Sequence, residues 1–147
     1  MNITTKGRYA LRVMTDLAMN KDGAFVPLSA ISQREELSAK YLEMIVGGLK
    51  KAGLVESSRG KEGGYRLNRT PDQYTVGEIL LSADDCLSPV ACVKEGHTDC
   101  QRADRCLSLP MWQEIDGIIN NYFASVTLQD LLTGERWKNT DSHGCQP

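Results

Sequence analysis

Four of the five cysteines in this 147-residue chain fall in one stretch, at Cys86, Cys92, Cys100 and Cys106. The last three are spaced Cys-x(7)-Cys-x(5)-Cys. Three thiolates in one loop supply the soft sulfur ligands that the irons of an iron–sulfur cluster require. Zinc is the rival metal, because three cysteines and one histidine form a recognised zinc set and His97 lies nearby. Zinc sites usually draw on tight Cys-x(2–4)-Cys pairs, and none occurs here. A loop of free cysteines, or a redox-active thiol pair, is the third reading.

A second group of residues suits DNA. Ser38, Lys40, Tyr41 and Glu43 stand at the N-terminal end of an expected helix, where polar side chains reach base edges in a major groove. Ser57, Arg59, Gly60 and Tyr65 belong to an expected hairpin further on. A guanidinium at Arg59 suits the negative potential of a minor groove. Gly60, Gly63 and Gly64 would let the backbone approach phosphates closely. Taken alone, the helix reads equally well as a solvated amphipathic helix followed by an ordinary hairpin.

The elements that must position these residues follow from periodicity and caps. Ala10, Val13, Met14, Leu17 and Ala18 line one face of a helix expected over 9–20. Pro27 opens a short helix running to Glu35. Ser38 caps the next helix, Ala39 to about Ala52, with Gly53 as its stop. That helix buries Leu42, Ile45, Val46 and Leu49 and turns Lys40, Tyr41, Glu43, Lys50 and Lys51 outward. Two short helices joined by so tight a turn make a helix-turn-helix. Residues 54–58 and 65–68 read as two strands with a basic, Gly-rich loop between them, a wing directly after the recognition helix. Thr75-x-x-Glu78 is a capping box for a short helix through Leu81. The stretch from Asp84 to Cys106 has no periodicity and reads as loop. Pro110 opens a long helix to Ser125 with a stripe of Trp112, Ile115, Ile119 and Tyr122, and Thr127-x-x-Asp130 starts a last short helix. The chain is polar beyond Gly134.

The net charge of −2 conceals an asymmetry. Residues 1–70 carry 12 Lys/Arg against 7 Asp/Glu, and residues 71–147 carry 5 against 12. Contact with a polyanion should therefore be confined to the first half. No apolar run approaches bilayer length, and the N-terminus has no apolar signal region. A cytoplasmic protein without a membrane partner is expected, with reduced thiols that favour metal or sensing chemistry over disulfides. A thiol oxidoreductase built on Cys86 or Cys92 would lack Cys-x-x-Cys, and neither His97 nor His143 has a recognisable catalytic setting. No enzymatic activity is expected.

The chain resembles the Rrf-two-type winged-helix transcription regulators, particularly the members that control iron–sulfur assembly (IscR-type). The resemblance rests on Thr5-Lys-Gly-Arg-Tyr-Ala10, Val26-Pro-Leu28, Ile31-Ser32, Tyr41-Leu-Glu43, Gly53-Leu-Val55, Ser58-Arg-Gly60, Gly63-Gly-Tyr65, Val76-Gly-Glu78 and Thr127-Leu-x-Asp-Leu131, in that order. It implies a mainly α fold with a small β-wing. A winged helix-turn-helix domain (1–83) would precede a cysteine-bearing cluster loop (84–107). A dimerisation helix and closing helix (108–133) would follow, then a flexible tail (134–147). It further implies a homodimer on a near-palindromic double-stranded DNA operator. An iron–sulfur cluster on Cys92, Cys100 and Cys106 would set its activity, with 2Fe-2S favoured over 4Fe-4S. IscR-type members place a fourth ligand in a Cys-x-x-His pattern, whereas here the run is Cys106-Leu-Ser-Leu109. The nitric-oxide-sensing relatives use a carboxylate near the N-terminus, and Arg8 there cannot serve. Glu43, His97, Asp99, Asp104 and Cys86 remain as candidates for the fourth position. A regulator answering to a protein or metabolite, as in the cysteine-metabolism (CymR-type) members, is the alternative, although those members lack the cysteine loop. A zinc-stabilised DNA-binding protein is the other.

Overall fold

A computed structural model describes residues 3–20, 22–84, 86–96 and 100–138. Within these residues the chain forms helices α1 (Thr5–Met19), α2 (Leu28–Glu35) and α3 (Ala39–Lys51), then strands β1 (Val55–Ser58) and β2 (Gly64–Leu67). Helices α4 (Val76–Leu81), α5 (Leu109–Ser125) and α6 (Leu128–Thr133) complete it. The result is the expected mainly α architecture with a two-stranded wing.

The caps explain most boundaries. α1 begins one turn before the apolar stripe that announced it. Thr4 supplies the cap, its hydroxyl accepting the Gly7 N–H at 3.1 Å. α2 starts after Pro27 and ends on Glu36, which takes a left-handed backbone at φ 55°. That single strained residue lets the chain turn into α3 within three residues. Ser38 caps α3 by accepting the Tyr41 N–H at 3.3 Å. Thr127 and Asp130 form a full capping box at α6. At α4 only half of the expected box exists, because the Glu78 carboxylate accepts from Arg69 at 2.9 Å.

The core is built where the three-dimensional layers meet. Val13, Met14 and Leu17 of α1 pack on Ile31 of α2 and on Leu42, Ile45, Val46 and Leu49 of α3. Tyr74 is wholly buried, and its hydroxyl is satisfied by accepting from the N–H groups of Asn68 (3.0 Å) and Arg69 (2.9 Å). The closing helix folds back into this core. Leu128 is fully buried, its N–H donates to Tyr74 O at 3.0 Å, and Val76 N–H donates to Val126 O at 2.8 Å. A smaller cluster of Val76, Leu80, Leu87 and Val126 continues the core toward the cysteine segment.

β1 and β2 pair antiparallel with Val55 opposite Leu67 and Ser58 opposite Gly64. Val26 adds a third short rung, exchanging backbone bonds with Tyr65 at 2.8 and 2.9 Å. This rung explains Gly64, which has φ 152° and where a Cβ would collide with the Val26 backbone. Gly64 thus seats the wing on the chain before α2, a need for glycine independent of any phosphate contact.

Two expectations change beyond α4. The cysteine segment is not featureless, since Ala91–Gly96 and Ala103–Arg105 form short 3-10 turns and Leu87 and Val93 are buried. The polar run beyond Gly134 is docked as far as Lys138. Glu135–Trp137 form a 3-10 turn, Arg136 donates to Ser125 O at 2.8 Å, and the Trp137 indole N–H donates to the Tyr122 hydroxyl at 3.4 Å. The remainder of the expected tail lies outside the described residues.

Candidate functional site

α3 is held at its back by four buried aliphatic side chains, which leaves its front to solvent. Ser38, Lys40 and Glu43 are exposed at its N-terminal end. Ser38 is already engaged as the N-cap. Tyr41 is half-buried, packs on the core and meets Tyr9 of α1 edge-on at a ring separation of 5.8 Å. Its ring is thus partly committed to bracing α3 against α1. On the wing, Arg59 and Gly60 lie fully outward at the tip, and Gly60 adopts φ 105°. Ser57 is half-buried opposite Tyr65, and the Tyr65 side chain packs against the core. Exposed Lys61 stands beside Arg59 and adds a cation that the sequence reading did not single out.

α1 fixes the two helices of the reader. Arg34 of α2 grips buried Asp16 as a fork, Nε to Oδ1 at 2.6 Å and Nη2 to Oδ2 at 2.8 Å. This bidentate carboxylate pairing raises the Arg34 pKa, chiefly through the hydrogen bonds to Asp16. Arg12 bonds the Glu35 carboxylate at 2.6 Å and lies over the Tyr9 ring at 5.1 Å.

The cysteines occupy the connection between the reader and α5. Cys92 is half-buried in the Ala91–Gly96 turn, which packs against α5. Cys100 is exposed, and Cys86 and Cys106 are half-buried. The Cys86 sulfur accepts the Ser88 N–H at 3.2 Å. The Cys106 sulfur lies 3.5 Å from the Ser108 hydroxyl. Hydrogen bonds from the Ser108 side chain and backbone hold the Cys106 thiol below its ordinary pKa, because they favour the thiolate. Among the described residues, no three His, Cys, Asp or Glu side chains are gathered closely enough to hold a metal ion. Glu43 and Asp104 are exposed and complete no such group with the thiols, and His97 and Asp99 lie outside the described residues. The donor set still fits an iron–sulfur group in kind: three soft sulfurs, all reachable from solvent, one predisposed to ionise.

Residues 3–134 match the Rrf2 family, whose description is iron-dependent transcriptional regulator. The chain belongs to this family. An HTH-type transcriptional regulator of Neisseria meningitidis is 42% identical over 132 residues, covering 90% of this chain and 88% of that protein. The HTH-type transcriptional regulator IscR of Vibrio parahaemolyticus is 38% identical over 133 residues, covering 90% of this chain and 78% of its own length. Among solved structures, CymR, the global cysteine regulator of B. subtilis, superposes with a TM-score of 0.73 at 37% identity, covering 91% of this chain and 98% of its own. These relatives are transcription regulators, not enzymes, and the Rrf2 chain described here is a DNA-binding winged-helix regulator of the same kind. No helix among its described residues is long and apolar enough to cross a membrane. Sequence reasoning missed Thr4, Gly7 and Asp84, which join the cysteine segment to α1. A Thr-Thr-Lys-Gly run before the stripe of α1 was the one available signal, as an N-cap candidate.

Proposed function

We propose that this Rrf2 protein acts in the cytoplasm as a homodimer on a near-palindromic double-stranded DNA operator, with an iron–sulfur cluster on Cys92, Cys100 and Cys106 setting its affinity. The observation that carries the reading is the placement of the thiols. They lie on the connection between the reader and α5, and the Cys92 turn packs on α5. A change in what the thiols hold thus acts where both are attached. In this reading Lys40, Tyr41 and Glu43 meet base edges in a major groove, with Ser38 setting the start of the helix. Arg59 and Gly60 enter the minor groove, and Ser57 and Tyr65 aim the wing. Metal binding supplies the free energy that draws the dispersed cysteines together. The cluster is proposed as 2Fe-2S, following the IscR-type resemblance, with the fourth ligand drawn from Cys86, His97, Asp99, Asp104 or Glu43.

A second reading, a cluster-free regulator answering to a protein or metabolite, is favoured by the likeness to CymR across nearly its whole length. Anaerobic purification separates the two. A brown protein whose charge-transfer absorbance disappears in Cys92→Ser, Cys100→Ser and Cys106→Ser supports the cluster. A colourless protein containing zinc sinks it, and one with no metal leaves the second reading. Operator binding should weaken steeply with salt, and Arg59→Ala should lower affinity and reduce the salt slope by about 1.

A further inference from the structure

We propose that Asp84 is the positioning residue through which the cysteine segment sets the attitude of α1, and with it the recognition helix. Asp84 lies three residues past the end of α4, its N–H donating to Leu80 O at 2.9 Å, and stands two residues before Cys86. Its side chain leaves that chain end and enters the N-terminus of α1. Oδ1 accepts the Thr4 hydroxyl proton, while the Thr4 oxygen accepts the Gly7 N–H. A hydroxyl has one proton and two lone pairs, so Thr4 serves both bonds at once. Oδ2 is buried without a hydrogen-bond partner among the described residues, and Asp84 as a whole is only 8% exposed. That oxygen lies against Gly7, where any Cβ would collide with it. The clamp therefore has a shape (glycine only) and a sign, since a carboxylate is favoured by the field at a helix N-terminus.

What the clamp holds leads directly to the reader. Two residues past Gly7, Tyr9 meets Tyr41 of α3 edge-on. Arg12 then ties α1 to Glu35, and Asp16 ties it to Arg34, both on α2. Displacing the start of α1 moves the Tyr9–Tyr41 contact first. On its other side, Asp84 runs within two residues into Cys86 and buried Leu87. A rearrangement of the thiols therefore pulls on a buried carboxylate seated in the first turn of α1. The input to this relay rests on the cluster reading; the mechanical link from Asp84 to α3 does not.

Two variants break the clamp differently. Asp84→Asn keeps the size and the Thr4 bond but removes the charge. Gly7→Ala evicts the carboxylate while improving intrinsic helix propensity, so its effect cannot be a weakened α1. Thr4→Ser keeps the hydroxyl and serves as the conservative control. In the full-length metal-free protein, both disruptive variants should speed amide exchange about tenfold in the first turns of both α1 and α3. Thr4→Ser should match the wild type. With an operator selected by the wild type, the affinity ratio of loaded to cluster-free protein should fall to within about twofold of one, at unchanged visible absorbance. Faster exchange confined to α1, or an undiminished affinity ratio, overturns the relay. A wild type that carries no cluster defeats the functional reading instead, and the exchange result in α3 then decides the relay alone.

Discussion

The Cys106 sulfur and the Ser108 hydroxyl, 3.5 Å apart, give the cysteine segment a chemical bias that spacing does not reveal. Hydrogen bonds donated by Ser108 stabilise the thiolate, so the folded protein deprotonates Cys106 at lower pH than a free thiol does. The sign follows from the favoured form. A group with a depressed pKa contributes stability above its unfolded pKa and loses it as pH falls through the folded value. Removing the donor should therefore raise the pKa. In metal-free, reduced protein, Ser108→Ala should move the pH midpoint of Cys106 alkylation upward, toward that of an ordinary cysteine. A midpoint that stays in place in Ser108→Ala would show that the Ser108 hydroxyl does not tune this thiol. Thiolate is also the form that ligates metal, so if the chain carries the proposed cluster the same variant should slow its assembly without altering the three sulfurs themselves.

Between α1 and α2, the decisive contact is the fork from Arg34 to Asp16. The carboxylate is buried and the guanidinium is half exposed, so the two partners are not equivalent. Arg34→Ala strands a buried carboxylate and should cost about 1–3 kcal/mol of unfolding free energy. Arg34→Lys retains the charge without the planar fork and should recover only part of it. Urea unfolding monitored by circular dichroism reads both, and equal stabilities for all three proteins would refute the assignment. The fork also illustrates what was legible beforehand. Helices α2 and α3 and both wing strands followed from stripes, Ser38, Pro27 and glycine placement, because those signals are local. The proposed DNA-contact set and the cysteine set were legible as residue types, since charge, polarity and sulfur are visible in any sequence. What stayed hidden depends on contacts between distant residues. The start of α1 at Thr5 was masked because its apolar stripe begins five residues later, at Ala10. Asp84 has its partner Thr4 80 positions away. Tyr41 and Tyr65 looked like free polar readers, whereas both are half committed to the core. The turn at Glu135–Trp137 is held by Tyr122 and Ser125 of α5, which no periodicity announces.

Across the whole molecule, α5 is the element whose composition is unexplained by a single chain. It is 17 residues long, apolar on average, and has no buried residue. The expected stripe of Trp112, Ile115, Ile119 and Tyr122 divides into two faces. Trp112 and Ile119 are half-buried, and Phe123 packs on the smaller core cluster. Met111, Ile115, Ile118 and Tyr122 remain exposed, at 52, 36, 55 and 47%. Their alternating spacing of four and three residues is the 3.5-residue repeat of a helix–helix seam. Such a seam in water is a standing cost unless covered, and in the proposed homodimer a second copy would cover it with identical chemistry under two-fold symmetry. In that arrangement one substitution places two charges in the interface. Ile118→Glu should therefore convert a dimer to a monomer in sedimentation equilibrium at micromolar protein. Because a half-site reader loses the gain from a tethered second reader, its operator affinity should fall by about 100-fold or more. Lys40, Glu43 and Arg59 are untouched by this change, so affinity for an isolated half-site should stay near that of the wild type. An Ile118→Glu protein that remains dimeric and binds the full operator normally would place the interface elsewhere than on α5.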